Sequence, residues 1–317
     1  MVDSCSPERE VVRRALLIAF ICSACACVAR PQSPGTAVNI RVDTTLVVIP
    51  VTVTDTMNRF VLGLGKQDFR VLEDGKEQQV KQFSDEDAPL SVGLLVDTSG
   101  SMGAKIETSR LAVGQFLKTM NAQDEVFLID FSDRAEVAVP FTKNTDELQS
   151  KLASVEPQGL TALLDAVHLG ISEMKKARNP RKALLIVSDG GDNNSRYTAT
   201  EVKDLVREAD VQIYAMGVFE PFDFFGLTAA ELSGPHLLSE LAQQTGGRAF
   251  AASIAKDLPA VATRIGIELR NQYVLAYYPA NHDRNGKFRK VEVKLDQPNG
   301  LPVLKARWRP GYYAPAQ

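Results

Sequence analysis

A short group of oxygen-bearing side chains follows an apolar run near residue 95. Asp97, Ser99 and Ser101 alternate directly after this run, and Gly100 between the two serines permits a tight turn. One carboxylate and two hydroxyls offer only oxygen ligands, which suit Mg²⁺, with Mn²⁺ and Ca²⁺ as alternatives. The spacing predicts a divalent-cation site here, and the simpler alternative is a polar turn with a helix-capping serine.

Two later segments supply the same kinds of atoms. Thr161 opens a predicted helix, and Asp189 follows the apolar run 183–187. In an open α/β sheet, ligands bind at the carboxyl ends of the strands, so these residues are expected to converge with the first group. We expect Asp165 to act as a local cap or a hydrogen-bond partner, and residues 192–194 to form a solvated loop.

The order Asp-x-Ser-x-Ser, then Thr, then Asp resembles the metal-ion-dependent adhesion site of von Willebrand factor type A domains. The resemblance implies that Ser99, Ser101 and Thr161 contact the metal. It implies that Asp97 and Asp189 bind through water or hold the serines in place. It also implies a protein partner whose Asp or Glu completes the coordination of the cation.

The segments on either side extend the resemblance. Residues 69–76, 272–279 and 309–313 resemble the corresponding parts of the acidobacterial VWFA-related family of exported proteins.

The pattern around these motifs indicates the fold class. Residues 89–270 alternate short apolar runs with helical spacing, which predicts an α/β domain with a doubly wound, mostly parallel sheet. The flanking segments 38–88 and 271–317 are rich in β-branched and aromatic residues and predict strands. We expect the two flanks to pair into one β-sandwich-like unit, with the α/β domain inserted between them.

One hairpin is predicted in more detail within the first flank. Asp74-Gly75 is a turn signal after the strand-like residues 68–73, and residues 79–83 are expected to return as the partner strand.

The N-terminus has the layout of a secretory signal. Arg13-Arg14 precede a short apolar run and small residues, so we interpret residues 1–29 as a signal peptide and 30–37 as a linker. A lipoprotein signal with Cys25 as the lipidated residue and an uncleaved membrane anchor are the alternatives. All three interpretations place the protein outside the cytoplasm: in the periplasm, in the cell envelope or secreted.

Composition excludes several classes of protein. The 317 residues carry a net charge of −3, so nothing indicates a nucleic-acid partner. All four cysteines lie within the first 27 residues, which excludes a disulfide framework or a cysteine-ligated metal in the body of the chain.

A rim beside the metal is a further hypothesis. Residues 219–226 form an aromatic loop before a predicted helix, and the alternative is simple packing of that loop. The residues predicted to contact a partner are Met102, Phe222, Phe224 and Phe225.

Three functions remain to be weighed. A metal-dependent protein-binding module is favoured, and no enzyme activity is predicted because the main catalytic motifs are missing from the sequence. The alternatives are a structural envelope protein whose metal only stabilises the fold, and a metal-dependent hydrolase.

Replacing the first aspartate tests the site. Asp97→Ala is expected to weaken Mg²⁺ binding, because a carboxylate of the site is lost, while the parallel sheet persists. A metal titration combined with circular dichroism measures both effects, and an unchanged titration would contradict the assignment.

Overall fold

The computed structural model describes residues 46–218, 229–252, 257–296 and 303–316. The strands are β1 (Val47–Thr54), β2 (Phe69–Glu73), β3 (Lys76–Gln78), β4 (Val80–Ser84), β5 (Leu90–Asp97), β6 (Glu125–Phe131), β7 (Ala135–Thr142), β8 (Arg181–Ser188), β9 (Gln212–Val218), β10 (Ala249–Ala252), β11 (Tyr273–Tyr277), β12 (Phe288–Leu295), β13 (Lys305–Trp308) and β14 (Gly311–Tyr313). The α-helices are α1 (Ile106–Leu117), α2 (Thr145–Ala153), α3 (Leu163–Glu173), α4 (Ala199–Glu208), α5 (Ala229–Gln243) and α6 (Leu258–Arg270).

A six-stranded sheet carries the central part of the chain. Its strand order is β10-β9-β8-β5-β6-β7, and every neighbouring pair is parallel except β6 and β7. The strand order reverses at β5, which pairs with β8 on one side and β6 on the other. The predicted doubly wound α/β fold is confirmed, and its switch point lies where β5 and β8 end.

Both faces of this sheet are covered by helices. Every residue of β5 is buried, as a strand enclosed on both faces requires. One core combines side chains of β5 with those of α1, α2 and α6, and the other combines the opposite face with α3, α4 and α5. The buried strands therefore hold their carboxyl ends in fixed positions.

The two flanks together build a pair of four-stranded sheets. One has the order β13-β1-β11-β4 and the other the order β14-β12-β2-β3, so each contains strands from both ends of the chain. Apolar side chains of both sheets form one shared core, which includes Val51, Val71, Leu275 and Val293. This arrangement is the sandwich-like pairing that the sequence predicts, since neither flank completes a sheet alone.

The predicted partner of β2 is wrong. β2 pairs with β3, and β4 pairs instead with β11 in the other sheet. Asp74 and Gly75 have φ of 48° and 78°, so they form a two-residue turn that brings the chain back at once. Residues 76–78 form the returning strand, and the chain then crosses to the second sheet.

Three elements differ from expectation. β7 was not predicted, because its alternation is weak and Pro140 argues against a strand except at the edge, which is where β7 lies. β14 was not predicted because it has only three residues. α5 begins at Ala229, upstream of Pro235, although a proline favours the first turn of a helix.

Some predictions lie outside the described residues. They are the signal peptide 1–29, the linker 30–37, the first part of the β-rich flank, residues 38–45, and the lipid anchor at Cys25. Within the ranges that the structure describes, no helix has the length and apolar character needed to cross a membrane.

A pair of valines on β1 tests the shared core. Val51 is fully buried between the two sheets, whereas Val48 on the same strand is 40% exposed. Val51→Ala is expected to lower the free energy of unfolding by about 2 kcal/mol, because two methyl groups leave a packed core. Val48→Ala should change it by less than about 0.5 kcal/mol. Urea denaturation measures both, and equal effects would contradict the proposed packing.

Candidate metal centre

Three loops meet at the carboxyl ends of β5 and β8. The loop after β5 is joined to the loop before α3 by hydrogen bonds from Gly100 N to Gly159 O (3.0 Å) and from Gln158 N to Thr98 O (2.9 Å). The loop after β8 joins them, because the backbone N–H groups of Asn193 and Asn194 both donate to Thr161 O at 3.0 Å. Backbone contacts therefore gather the segments that carry the predicted ligands.

Asp97 lies at the centre and is fully buried. Its Oδ1 accepts hydrogen bonds from the Ser99 backbone N–H (3.0 Å) and from Ser99 Oγ (2.6 Å). Its Oδ2 accepts a hydrogen bond from Ser188 Oγ at 2.6 Å. Both carboxylate oxygens are thus used to hold neighbouring groups, as expected of a buried charge that makes no ion pair with any residue the structure describes.

The environment of Asp97 shifts its ionisation. Burial raises the pKa of Asp97 to about 6, and the nearby charge of Asp189 acts in the same direction. Hydrogen bonds from Ser188 and Ser99 oppose that shift. The two carboxylates therefore lie close enough to repel each other, and a cation between them would relieve that repulsion.

The two serines of the first loop are in contact. Ser99 Oγ and Ser101 Oγ are 3.1 Å apart, and the turn of 3-10 helix Gly100–Met102 brings them together. Ser99 is held by Asp97, so Asp97 determines where its hydroxyl points. Paired hydroxyls anchored by a buried carboxylate form an oxygen-rich cradle.

Asp189 is the second carboxylate and is also buried. Its Oδ2 accepts a hydrogen bond from Lys105 Nζ at 3.1 Å, and its Oδ1 accepts one from Gly191 N at 3.2 Å. The next residue, Gly190, has φ of 83°, and a Cβ there would lie 2.6 Å from the backbone of Gly234 in α5. Only glycine allows this close approach, which fixes the loop against the helix.

Thr161 is placed by its backbone. Its N–H donates to Asn193 Oδ1 at 2.8 Å, and its carbonyl accepts the two N–H groups named above. The structure thus brings Thr161 next to the loop that follows Asp189. Direct hydrogen bonds join Asp97 to Ser99 and Ser99 to Ser101. Asp189 and Thr161 are held in place through neighbouring residues.

The loop after Asp189 has a role that the sequence analysis did not predict. Asp192 Oδ1 accepts the N–H of Leu164 at 3.2 Å, and Ser195 Oγ accepts the N–H of Asp165 at 3.1 Å. These side chains cap the first turn of α3, so their hydrogen bonds hold the loop against the helix.

The prediction of a local hydrogen-bonding role holds for Asp165. Its carboxylate accepts the N–H groups of Arg196 and Tyr197, at 2.9 and 3.3 Å, and anchors the end of the same loop.

The predicted rim needs correction. Met102 is fully buried in the core beneath the sheet, so it cannot contact a partner. The short 3-10 turn that presents the serines directs the following side chain inward. Phe222, Phe224 and Phe225 lie outside the described residues.

Sequence reasoning missed two polar residues of the site. Ser188 holds Asp97, and Lys105 pairs with Asp189. Ser188 directly precedes Asp189 at the end of a strand, and this position could have predicted its place in the site. Nothing in the spacing of Lys105 indicates its role.

The donor set fits a hard divalent cation. It consists of hydroxyl and carboxylate oxygens, gathered at the carboxyl ends of the neighbouring parallel strands β5 and β8. In the described residues there is no group of three or more His, Cys, Asp or Glu side chains that could hold a metal. Among the described residues, the carboxylates of the candidate centre are Asp97 and Asp189, and the other oxygens gathered there are hydroxyls.

Comparison with known families decides the classification of this region. Residues 92–191 match the family model of the von Willebrand factor type A domain. The chain contains a von Willebrand factor type A domain. The matched segment contains all five predicted metal-site residues, from Asp97 to Asp189.

Relatives of the type A domain cover parts of the chain. A Borreliella burgdorferi protein is 23% identical over 187 residues, 52% of this chain and 54% of its own length. Inter-alpha-trypsin inhibitor heavy chain H4 of Sus scrofa is 27% identical over 132 residues, 38% of this chain and 14% of its own length. The chain therefore spans about half the length of the first relative and a small part of the second.

One solved structure overlaps with most of the chain. A von Willebrand factor type A protein from Catenulispora acidiphila has a TM-score of 0.49 and 11% identity, and covers 86% of this chain and 74% of its own.

The Ser188 hydroxyl offers a test of the buried centre. Ser188→Ala removes the donor to Asp97 Oδ2 and the acceptor of the Gly190 N–H, which is 2.9 Å away. The metal-free protein is expected to lose about 1–3 kcal/mol of unfolding free energy, because buried polar groups lose partners. The pKa of Asp97 should also rise further.

Denaturant unfolding in the presence of a chelator measures this loss. Ser172→Ala, an exposed position on α3, is the matched control and should have little effect. Equal stability of the two variants would contradict the role assigned to Ser188.

Proposed function

We propose that this chain is an exported binding protein that holds a divalent cation at its type A domain and binds a protein partner through it. Ser99, Ser101 and Thr161 supply hydroxyl ligands. Asp97 and Asp189 act through water or by holding the hydroxyls. Mg²⁺ is the proposed metal, with Mn²⁺ and Ca²⁺ as alternatives.

The hydrogen bonding of Asp97 is the observation that carries the proposal. The two oxygens of this buried carboxylate accept hydrogen bonds from Ser99 and Ser188. The bond to Ser99 positions its hydroxyl next to that of Ser101. A stable fold does not require one hydroxyl bonded to a buried carboxylate and a second hydroxyl beside the first at the switch point of a sheet. A cation site explains this arrangement.

The low number of anionic ligands indicates what such a site would bind. Two carboxylates and neutral hydroxyls leave part of the charge of a divalent cation uncompensated. Mg²⁺ prefers six oxygen ligands and keeps water where the protein supplies none. When bound, the cation supplies a positively charged open position, for which a carboxylate of an Asp or Glu on a partner is the matching group.

Hydrolysis is disfavoured by the surroundings of the centre. Both oxygens of Asp97 are engaged in hydrogen bonds, so this residue is poorly placed to accept a proton from water. His168 stacks on Tyr197 at 4.0 Å between ring centroids, and His236 lies 3.4 Å from Glu240. We therefore propose binding and no enzyme activity.

Export rests on the N-terminal sequence. The basic pair Arg13-Arg14 and the apolar run after it support secretion to the periplasm, the cell envelope or the medium. Lipidation at Cys25 is the alternative route to the envelope.

Removal of single hydroxyls tests the proposal. Ser99→Ala and Thr161→Ala are each expected to weaken Mg²⁺ and Mn²⁺ binding by about 10- to 100-fold, as changes to metal-site residues do, while the fold persists. Isothermal titration calorimetry measures the affinity, and circular dichroism confirms folding. Ser172→Ala is again the matched control and should bind as the unaltered protein does.

A peptide probe then separates the candidate functions. A capped peptide with one Asp should bind the metal-loaded protein, and binding should be abolished by chelator and by Asn in place of Asp. Metal removal that unfolds the protein, with no peptide binding, would indicate a purely structural cation. Hydrolysis of a substrate that is lost in Asp97→Asn would indicate an enzyme.

A further inference from the structure

Lys105 carries a positive charge into the candidate metal centre. Its Nζ lies 3.1 Å from Asp189 Oδ2, and the exposed fractions of the two side chains are 15% and 5%. An ion pair this well shielded from water is only weakly screened, unlike pairs on a protein surface. The contact is therefore a substantial part of the local electrostatics.

This ammonium group is the counter-charge of the two carboxylates. Asp97 and Asp189 repel each other, and among the described residues the ion pair with Lys105 is the one salt bridge that either makes. The hydrogen-bond partners of Asp97 are neutral hydroxyl and amide groups. Without a bound cation, Lys105 is the group that offsets the negative charge.

The backbone of Lys105 is fixed, whereas its side chain is long and unbranched. Its N–H donates to Met102 O at 2.9 Å, and its carbonyl accepts the N–H of Ser109 at 3.0 Å. Four methylene groups separate the ammonium from this anchored backbone. The charged end can thus leave Asp189 without any change in the loop or in α1.

Both oxygens of Asp189 are occupied in this arrangement. Oδ1 accepts the N–H of Gly191, and Oδ2 accepts the ammonium of Lys105. Asp189 can serve a cation, directly or through water, only if one of these bonds is given up. The ammonium is carried on a flexible stem and can move away, whereas the Gly191 N–H is held in place by the turn at Gly190, whose φ is 83°.

We propose that Lys105 is a tethered counter-cation that exchanges with the divalent metal at Asp189. This inference rests on the proposed function and adds its regulation. A divalent cation near Ser99 and Asp189 would repel an ammonium group at hydrogen-bonding distance from the same carboxylate, and the repulsion is strong because this pair is shielded from bulk water. Metal entry therefore displaces Lys105 toward solvent.

The exchange has two consequences for binding. It lowers the affinity of the site for metal, because the cation must replace an existing favourable contact. It also offsets part of the negative charge of the metal-free centre, which favours the folded state. The site then loads only where the free concentration of divalent cations is high.

Substitution of Lys105 separates these effects. Lys105→Met keeps most of the apolar stem and removes the charge, and Lys105→Arg keeps the charge. Lys118→Met, at an exposed position just after α1, is the matched control. Each protein is titrated with Mn²⁺ and with Mg²⁺ alone by calorimetry, and its melting temperature is measured in chelator and in excess Mg²⁺.

Lys105→Met is expected to bind both metals about 10- to 100-fold more tightly, the range by which a neighbouring charge shifts an ionic equilibrium. Its melting temperature should fall in chelator and rise more steeply with Mg²⁺ than that of the unaltered protein. Lys118→Met should bind metal much as the unaltered protein does, and Lys105→Arg, which keeps the charge, should not reproduce the tighter binding of Lys105→Met.

The outcomes distinguish this inference from the proposed function. Metal binding that is equal or weaker in Lys105→Met overturns the exchange and leaves the metal site standing. Binding by Lys105→Met alone supports the exchange and shows that the lysine suppresses loading in the unaltered protein. If neither protein binds metal, both proposals fail, and the ion pair is a permanent structural contact.

Discussion

A buried carboxylate that forms no ion pair within the described part of the chain is the constraint on which the candidate centre depends. Asp97 is fully enclosed at the end of the central strand, and its charge is compensated by hydrogen bonds from Ser99 and Ser188. Those bonds fix the first loop to the end of β8. The hydroxyls, the facing carboxylate of Asp189 and the ammonium of Lys105 are then arranged around this anchor.

The parallel sheet supplies the rigidity that this anchor needs. β5 and β8 pair side by side and are buried on both faces, and the loops that follow them lead to helices on opposite faces of the sheet, α1 and α4. Glycines permit two of the close approaches around these loops: Gly100 donates to Gly159 O, and Gly190 touches Gly234. Rigid strands and tight loops together hold short side chains within hydrogen-bonding distance.

The paired flanking sheets are continuous with the α/β domain. α6 ends at Arg270 and β11 begins at Tyr273, so the last helix leads directly into a central strand of the first sheet. Arg270 also contacts Asp87, between β4 and β5, at 3.0 Å. This contact joins the two chain connections between the parts at one place, and the described residues from 46 to 316 belong to one compact unit.

Sequence alone determined the features that depend on local pattern. Continuous apolar runs predicted the buried strands, helical spacing predicted the helices, and the motif from Asp97 to Ser101 with Thr161 and Asp189 predicted which loops would meet. These signals suffice because burial on two faces and oxygen-only ligands each require particular residue types at fixed spacing.

Tertiary structure decided what depends on contacts between distant segments. It buried Met102, paired β4 with β11, and made the Asp192 loop a cap for α3. It also brought Lys105 to Asp189, 84 positions away in sequence. A lone lysine just before a helix has the same local signal whichever carboxylate it contacts, so only the folded chain shows that its partner is Asp189.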